Sequence, residues 1–292
     1  MKAAIYSRVM IDEQHDDVQL FFDELDKQKI TPVVFLPFFN EIHGKINFPS
    51  TTETFSASAD LKDDVEFIIS LGGDGTLLDT ITLVRDKKIS IMGINFGRLG
   101  FLAGIGRNEV ATAVKAIAKR THVVDKRSLI HLDADAPLFG EIPYALNEFA
   151  IHKRDVASMI KIHTYVNGEF LNTYWADGLI VATPTGSTGY SLSCNGPIIF
   201  PDSGNFVITP VAPHNLNVRP IVVPDSNIIS FEVESRDENI IVALDSRREI
   251  INRNIQLAVR KEEFTVQLVR LSENNFLQTL RNKLTWGLDK RN

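Results

Sequence analysis

The first chemical signal is a run of nine residues, Ser70-Leu71-Gly72-Gly73-Asp74-Gly75-Thr76-Leu77-Leu78. Its three glycines let the backbone turn sharply and let a ligand come close to it. A glycine-rich turn that opens a helix suits phosphate groups, because its free N–H groups point outward. The Asp74 carboxylate in the middle repels such an anion, so it points to a different role, either holding a metal ion or taking a proton. A second turn, Asn95-Phe96-Gly97-Arg98-Leu99-Gly100, has the spacing N-x-G-x-x-G. That is not the G-x-G-x-x-G dinucleotide fingerprint, and no Walker G-x-x-x-x-G-K-[ST] run occurs in the chain.

Further on, Trp175-Ala176-Asp177-Gly178 leads through an apolar stretch into Thr183-Pro184-Thr185-Gly186-Ser187-Thr188-Gly189-Tyr190-Ser191-Leu192-Ser193. So many hydroxyls on adaptable backbone suit a sugar or a nucleobase edge better than a metal. The structural alternative is a Ser/Thr-rich turn that caps a following helix. Asn147-Glu148, taken alone, reads as a solvated turn. His152-Lys153-Arg154 is a small basic spot, suited to solvent or to a phosphate. His214, in Pro213-His214-Asn215, reads as a hydrogen-bonded structural histidine. The single cysteine, Cys194, reads as a small buried apolar side chain and excludes an intrachain disulfide. No His/Cys/Asp/Glu spacing resembles a zinc site, and there is no Gly-x-Ser-x-Gly elbow.

The elements that must position these residues come in two textures. Up to about residue 120, strands alternate with helices: Lys2–Tyr6, a helix over Asp16–Lys29, Thr31–Leu36, an irregular stretch over 37–62 with room for a short helix, Val65–Ile69, a helix from Leu77, Ile89–Asn95 and a helix over Asn108–Arg120. That alternation predicts a Rossmann-like parallel α/β domain over residues 1–121. From 122 to 271 strand follows strand, with Tyr144–His152, Ile160–Val166, Gly178–Ala182, Ile255–Arg260 and Phe264–Leu271 among them. This predicts an all-β domain of sheet or sandwich type, in which only the stretch after Gly189 has room for a helix. Residues 272–292, partly helical over Asn275–Leu288, form a C-terminal segment expected to return to the first domain.

The chain has 292 residues, 44% hydrophobic and 23% charged, with a formal net charge of −6. This fits a globular protein of two domains. No basic block is present to track a phosphate backbone, which argues against nucleic acid as a partner. No apolar run approaches the ~18–20 residues that span a bilayer, and the N-terminus lacks a signal-peptide core. The expectation is a cytoplasmic protein with no membrane partner.

Taken together, Gly72-Gly73-Asp74-Gly75-Thr76, Asn95-x-Gly97-x-x-Gly100, Asn147-Glu148, and Asp177-Gly178 with the run from Thr183 to Ser193 resemble the NAD kinase family. The order and intervals match over nearly the whole chain, and Pro213-His214 followed by Arg219-Pro220 is similar as well. The Gly-Gly-Asp-Gly-Thr element by itself is shared with diacylglycerol and sphingosine kinases, and phosphofructokinases carry a close relative. The hydroxyl-rich run is what selects NAD kinase among them.

The resemblance implies transfer of the γ-phosphoryl group of ATP to the 2′-hydroxyl of the adenosine ribose of NAD, giving NADP. It implies a divalent cation, usually Mg2+, and a cytoplasmic homodimer or homotetramer. It implies an α/β domain and a β domain with the site between them. Residue by residue, Asp74 matches the proton acceptor for the 2′-hydroxyl, and Gly75 the close backbone approach. Gly72, Gly73, Gly75, Thr76, Asn95 and Gly97 match the donor-phosphate turns. Asn147 and Glu148 match a pair that holds ribose hydroxyls, and Asp177 a carboxylate at the nicotinamide end. Thr188, Gly189, Tyr190, Ser191, Leu192 and Ser193 match the segment lining the adenosine, and Ala212 a minor contact. Trp175, Ser158 and Arg247 depart from residues common in bacterial members.

Three other readings are weaker. A lipid kinase predicts a basic amphipathic or lipidated segment, and none is evident. A non-catalytic NAD-binding regulator predicts loss of the carboxylate at position 74. A dehydrogenase predicts a dinucleotide fingerprint after the first strand.

Overall fold

The alternation of apolar strands and amphipathic helices in the first part of the chain produces a parallel sheet, and the strand-after-strand texture that follows produces antiparallel ones. The computed structural model describes residues 1–8, 14–97, 100–155, 158–273 and 275–285. Arg98 and Leu99 of the second glycine turn, and the last residues of the helix expected to end at Leu288, lie outside the described residues. The chain divides into two units, Met1–Lys126 with Val266–Asn292, and Arg127–Thr265.

In the first unit the elements are β1 (Lys2–Tyr6), α1 (His15–Lys27), β2 (Thr31–Phe35), α2 (Leu36–Ile42), β3 (Glu53–Phe55), β4 (Val65–Leu71), α3 (Asp74–Val84), β5 (Ser90–Asn95), the short β6 (Ile105–Gly106) and α4 (Val110–Ala118). The sheet order is β3-β2-β1-β4-β5, with every pairing parallel. Gln267–Val269 pair in parallel with Ser90–Met92 on the far side of β5. Ala3, Ala4, Ile5, Ile68, Ile69, Ile91 and Met92 are fully buried, as strands covered on both faces require. Helices α1 and α4 pack into one core through Phe21, Phe22 and Leu25 on the first and Val110, Val114 and Ile117 on the second. Helix α2 and strand β3 occupy the stretch expected to be mostly irregular. Pro37 sits in the first turn of α2, where a missing N–H costs nothing.

The winding of this sheet reverses beside β1. The chain runs outward through β2 and β3, then returns to place β4 and β5 on the other side of β1. A reversal of this kind leaves a crevice at the carboxyl ends of the two strands, the place where open α/β sheets bind ligands. Ser7 and Arg8 leave β1 there, and Gly72 and Gly73 leave β4.

In the second unit the strands continue as β7 (Val123–Ala134), β8 (Tyr144–Ala145), β9 (Glu148–Lys153), β10 (Ile160–Val166), β11 (Glu169–Ala176) and β12 (Gly178–Ala182). A single-turn α5 (Tyr190–Ser193) follows, then β13 (Asn205–Val211), β14 (Ile221–Pro224), β15 (Ile229–Glu234), β16 (Asn239–Leu244), β17 (Arg247–Asn252) and β18 (Leu257–Arg270). One antiparallel sheet has the order β14-β13-β12-β9-β16-β17; in the other, β11, β10, β15 and the start of β18 are neighbours. Phe149, Ile151, Leu179, Val181, Phe206 and Ile208 of the first sheet share one core with Ile160, Ile162, Tyr174, Phe231 and Val259 of the second, which makes the unit a sandwich. Strands β11 and β17 had no sequence expectation. The expected Tyr144–His152 strand breaks at Leu146-Asn147, and the two strands expected over 255–271 are one. Helix α6 (Phe276–Leu284), in the first unit, is the last element among the described residues, and the Asn275 side chain caps it by accepting the Gln278 N–H at 2.9 Å.

Candidate active site

Strand β4 ends in the glycine turn, and α3 begins at Asp74. The Gly72 N–H donates to the Ile94 carbonyl at 2.9 Å, and the Thr76 and Leu77 amides both turn back onto the Gly73 carbonyl at 3.1 Å. The amides of Gly73, Asp74 and Gly75 have no acceptor among the described residues. They are the orphan donors that every helix start presents, and here they follow one another on a tight turn.

The Asp74 carboxylate is folded onto the second glycine turn. Oδ2 accepts the Phe101 N–H at 2.8 Å, while Oδ1 accepts those of Leu102 at 3.1 Å and Ala103 at 2.9 Å. Only glycine permits this approach, because a Cβ on Gly100 would lie 1.7 Å from Oδ1. Three amide dipoles meet the negative charge, which is how an acid can stand beside a phosphate cradle. A carboxylate has roughly four acceptor positions, so one remains, on Oδ2. Asn95, itself buried, accepts the Gly97 N–H at 2.7 Å and shapes the start of the second turn.

Three residues to which the sequence assigns no role in the site complete this end of the unit. The Arg8 guanidinium grips Asp79 with two hydrogen bonds, Nε to Oδ2 at 2.5 Å and Nη2 to Oδ1 at 2.7 Å, and Nη2 also reaches the Gly75 carbonyl at 3.2 Å. The Tyr6 hydroxyl donates to Asp79 Oδ2 at 2.9 Å. Burial, and then the neighbouring Asp79 charge, push that hydroxyl up to about 12.

In the second unit the break at Leu146-Asn147 has a clear cause. Asp245 Oδ2 accepts the Leu146 N–H at 2.9 Å, and its Oδ1 accepts those of Asn147 at 2.8 Å and Glu148 at 3.2 Å. A carboxylate again holds three successive amides, this time under Asn147-Glu148. Arg247, two residues on, donates to the carbonyls of Ile142, at 2.5 Å, and Tyr144. Its guanidinium is therefore committed to the chain leading into the turn. Burial, and then the Asp245 charge, push the Glu148 carboxyl up to about 8, and its Oε2 is buried with no partner among the described residues. Burial pushes Asp245 up as well, but its three amide bonds and Arg247 favour the charged form. Of this pair, Glu148 is the one that holds the proton.

The hydroxyl-rich run lies against this turn. The Thr183 hydroxyl donates to the Leu146 carbonyl at 2.5 Å, and the Thr183 N–H donates to that of Asn147 at 2.8 Å. A Cβ on Gly186 would lie 2.0 Å from the Asn147 carbonyl oxygen, so that position also demands glycine. Gly189 lies beside the Glu148 carboxyl, 3.3 Å from Oε2 to the point where a Cβ would stand. Several hydroxyls of the run bond within the protein: Ser187 to the Pro184 carbonyl at 2.7 Å, Thr188 to the Thr185 carbonyl at 3.2 Å, and Ser191 to Thr209 at 2.7 Å. Tyr190 and Ser193 stay exposed, and Leu192 is half-buried. The Tyr190 ring lies 5.6 Å from His152, and burial lowers the His152 imidazole below its ordinary range. Lys153 pairs with Asp177 at 2.6 Å. Trp175 stacks on His214, 4.7 Å between centroids, and it lines one cleft with Ser158 and Arg236 and another with Asn215 and Leu216. Ala212 is exposed with φ of +44°. The structure thus brings Asn147 and Glu148 together with Gly186 and Gly189, and brings His152 together with Tyr190.

Among the described residues, no group of three or more His, Cys, Asp or Glu side chains could hold a metal ion, and no helix is long and apolar enough to cross a membrane. Free amides at a switch point suit phosphate groups, and the fixed carboxylate beside them suits a proton from a hydroxyl, the two parts a phosphotransferase site needs. Residues 21–122 match the ATP-NAD kinase N-terminal domain, and residues 146–271 match the ATP-NAD kinase C-terminal domain. A NAD kinase of Cytophaga hutchinsonii is 49% identical over 291 residues, which cover 99% of each chain. One of Flavobacterium psychrophilum is 42% identical over 294 residues, covering the whole of both chains. The crystal structure of yeast NADH kinase complexed with NADH has a TM-score of 0.89 at 20% identity, covering 99% of this chain and 88% of that one. The chain belongs to the NAD kinase family. Its reaction is transfer of the γ-phosphoryl group of ATP to the 2′-hydroxyl of the adenosine ribose of NAD, giving NADP and ADP.

Proposed function

We propose that Asp74 accepts the 2′-hydroxyl proton as that oxygen attacks the γ-phosphorus. The O2′–P bond forms, the bond from phosphorus to the β,γ-bridging oxygen breaks, ADP leaves, and the proton goes to Oδ2. The observation that carries this reading is the carboxylate fixed by three amides with one acceptor position left, on Oδ2. A secondary hydroxyl is a poor nucleophile, and a positioned base contributes about 10²–10⁴-fold. Positioning and charge neutralisation of the triphosphate supply much of the remainder.

The donor phosphates take the free amides of Gly73, Asp74 and Gly75, on turns shaped by Gly72, Thr76, Asn95 and Gly97. No acidic cluster stands ready to cage a metal among the described residues. At kinase sites the hard ion Mg2+ takes substrate phosphates, water and no more than one or two carboxylates, a demand that needs no three-residue cage. When bound there, it would neutralise phosphate charge.

In the second unit, Asn147 and Glu148 hold the ribose hydroxyls, with Gly189 leaving room beside them. Asp177 serves the nicotinamide end, paired with Lys153 until a ligand competes. The segment Thr188 to Ser193 lines the adenosine. Thr188 and Ser191 contribute mainly through backbone, since their hydroxyls have partners; Gly189, Tyr190, Leu192 and Ser193 offer surface. Ala212 adds a minor contact. A cytoplasmic homodimer or homotetramer is the assembly that the family resemblance supports.

Turnover tests this reading. Purified protein with ATP, Mg2+ and NAD should yield NADP, read by a coupled NADP-specific dehydrogenase. Phosphorylation of a different acceptor, with NAD left intact, would overturn the acceptor assignment. Light scattering of the same preparation reads the oligomer.

A further inference from the structure

Arg8 is the feature of the first unit that the proposed chemistry does not use. It follows β1, on the opposite side of the switch point from the glycine turn that follows β4. A guanidinium carries five N–H donors in a rigid fork. Nε donates to Asp79, and Nη2 serves both Asp79 and the Gly75 carbonyl. The two N–H groups of Nη1 have no acceptor among the described residues, and Nη1 lies 3.6 Å from where a side chain on Gly75 would begin. The bare flank of Gly75 therefore opens directly onto an unused pair of donors.

The Arg8 side chain is 49% exposed and that of Asp79 23%, so the fork stands at the surface while the carboxylate that holds it is largely covered. Asp79 is itself oriented by the Tyr6 hydroxyl, so two side chains from two elements, Tyr6 of β1 and Asp79 of α3, fix one guanidinium edge. A fixed planar fork with free N–H groups is suited to phosphate oxygens.

We propose that Arg8 contacts the phosphates of the donor nucleotide through Nη1, with Asp79 and Tyr6 as the residues that position it. The proposal rests on the assignment of the Gly72–Gly75 turn to those phosphates. Asp79 offsets part of the cationic charge, so Arg8 acts through direction more than through field.

The test is steady-state kinetics with each substrate varied in turn, alongside thermal melts. Arg8→Ala should raise the KM for ATP about tenfold or more and leave the KM for NAD and the Tm near their starting values. Arg8→Lys, which cannot keep the fork on Asp79, should fall between. Asp79→Asn should raise the same KM less, and the double variant should be no worse than Arg8→Ala alone. Gly73→Val probes the turn itself: a Cβ there meets nothing within 4 Å in the protein, yet a side chain would obstruct a phosphate. If Gly73→Val raises the KM for ATP while Arg8→Ala does not, the turn holds the donor and Arg8 has no part in it. If neither variant changes that KM, the donor assignment fails together with the proposal. Equal rises in both KM values with a fall in Tm would mark a structural role and overturn it.

Discussion

At the scale of single residues, Asp74 and Glu148 are carboxyls in opposite surroundings. Asp74 is met by three amides, whereas Glu148 carries an oxygen buried without a partner among the described residues. Asp74→Asn should keep NAD binding and lower kcat by about 100-fold or more, read in the coupled assay; an unchanged kcat would remove Asp74 from the base role. For Glu148 the carboxyl moves from its ordinary 4.5 up to about 8. Between those values the native state holds a proton that the unfolded chain has released, so this group's contribution to stability falls as pH rises and levels off above the upper one. Glu148→Gln imitates the neutral acid. Its gain in Tm over the parent should be small near about pH 5 and larger near about pH 8.5, and equal gains at both would place the proton elsewhere. The chemistry at Asp74 was legible because its glycines are consecutive. Arg8 and Asp245 were not, because their partners lie 71 and 98 positions away and no local pattern announces them.

At the scale of elements, the glycine of one turn decides the geometry of another. Gly100→Ala would put a Cβ on top of Asp74 Oδ1. The carboxylate must move away and give up its amides, so turnover should fall about as far as in Asp74→Asn, with a lower Tm as well. A variant of full activity would show that the clamp is dispensable. Strand β4, the turn and α3 could be read from the sequence, since an apolar run, glycines and helical spacing all agree there. Strands β11 and β17 could not. Both lie at sheet edges and bury little: Tyr174 and Ala176 are the buried positions of Glu169–Ala176, and Ile251 is that of Arg247–Asn252. Strand β18 read as two because Lys261-Glu262-Glu263 resembles a turn. Inside the strand those charges have partners, Glu262 with His131 at 2.6 Å and Lys261 with Asp225 at 2.7 Å.

At the scale of the whole molecule, the first unit is discontinuous and the second is one stretch of chain. Val269 and Leu271 belong to the first unit's core, and Gln267–Val269 flank β5. A chain cut after Thr265 should therefore lose amide protection in β4 and β5 and keep it in β9 and β12, measured by hydrogen exchange. Equal protection in the two units would contradict this. The same discontinuity has a consequence for synthesis on the ribosome. Ser90 must wait for Gln267, 177 positions later. At ~5–20 residues per second that is on the order of 10–35 s, during which the parallel sheet has an open border along Ser90–Met92 of β5. Every residue of the second unit emerges before that border can close. The half of the enzyme made first is thus the half completed last, and an unpaired strand border in a nascent chain is a place for chaperones to guard.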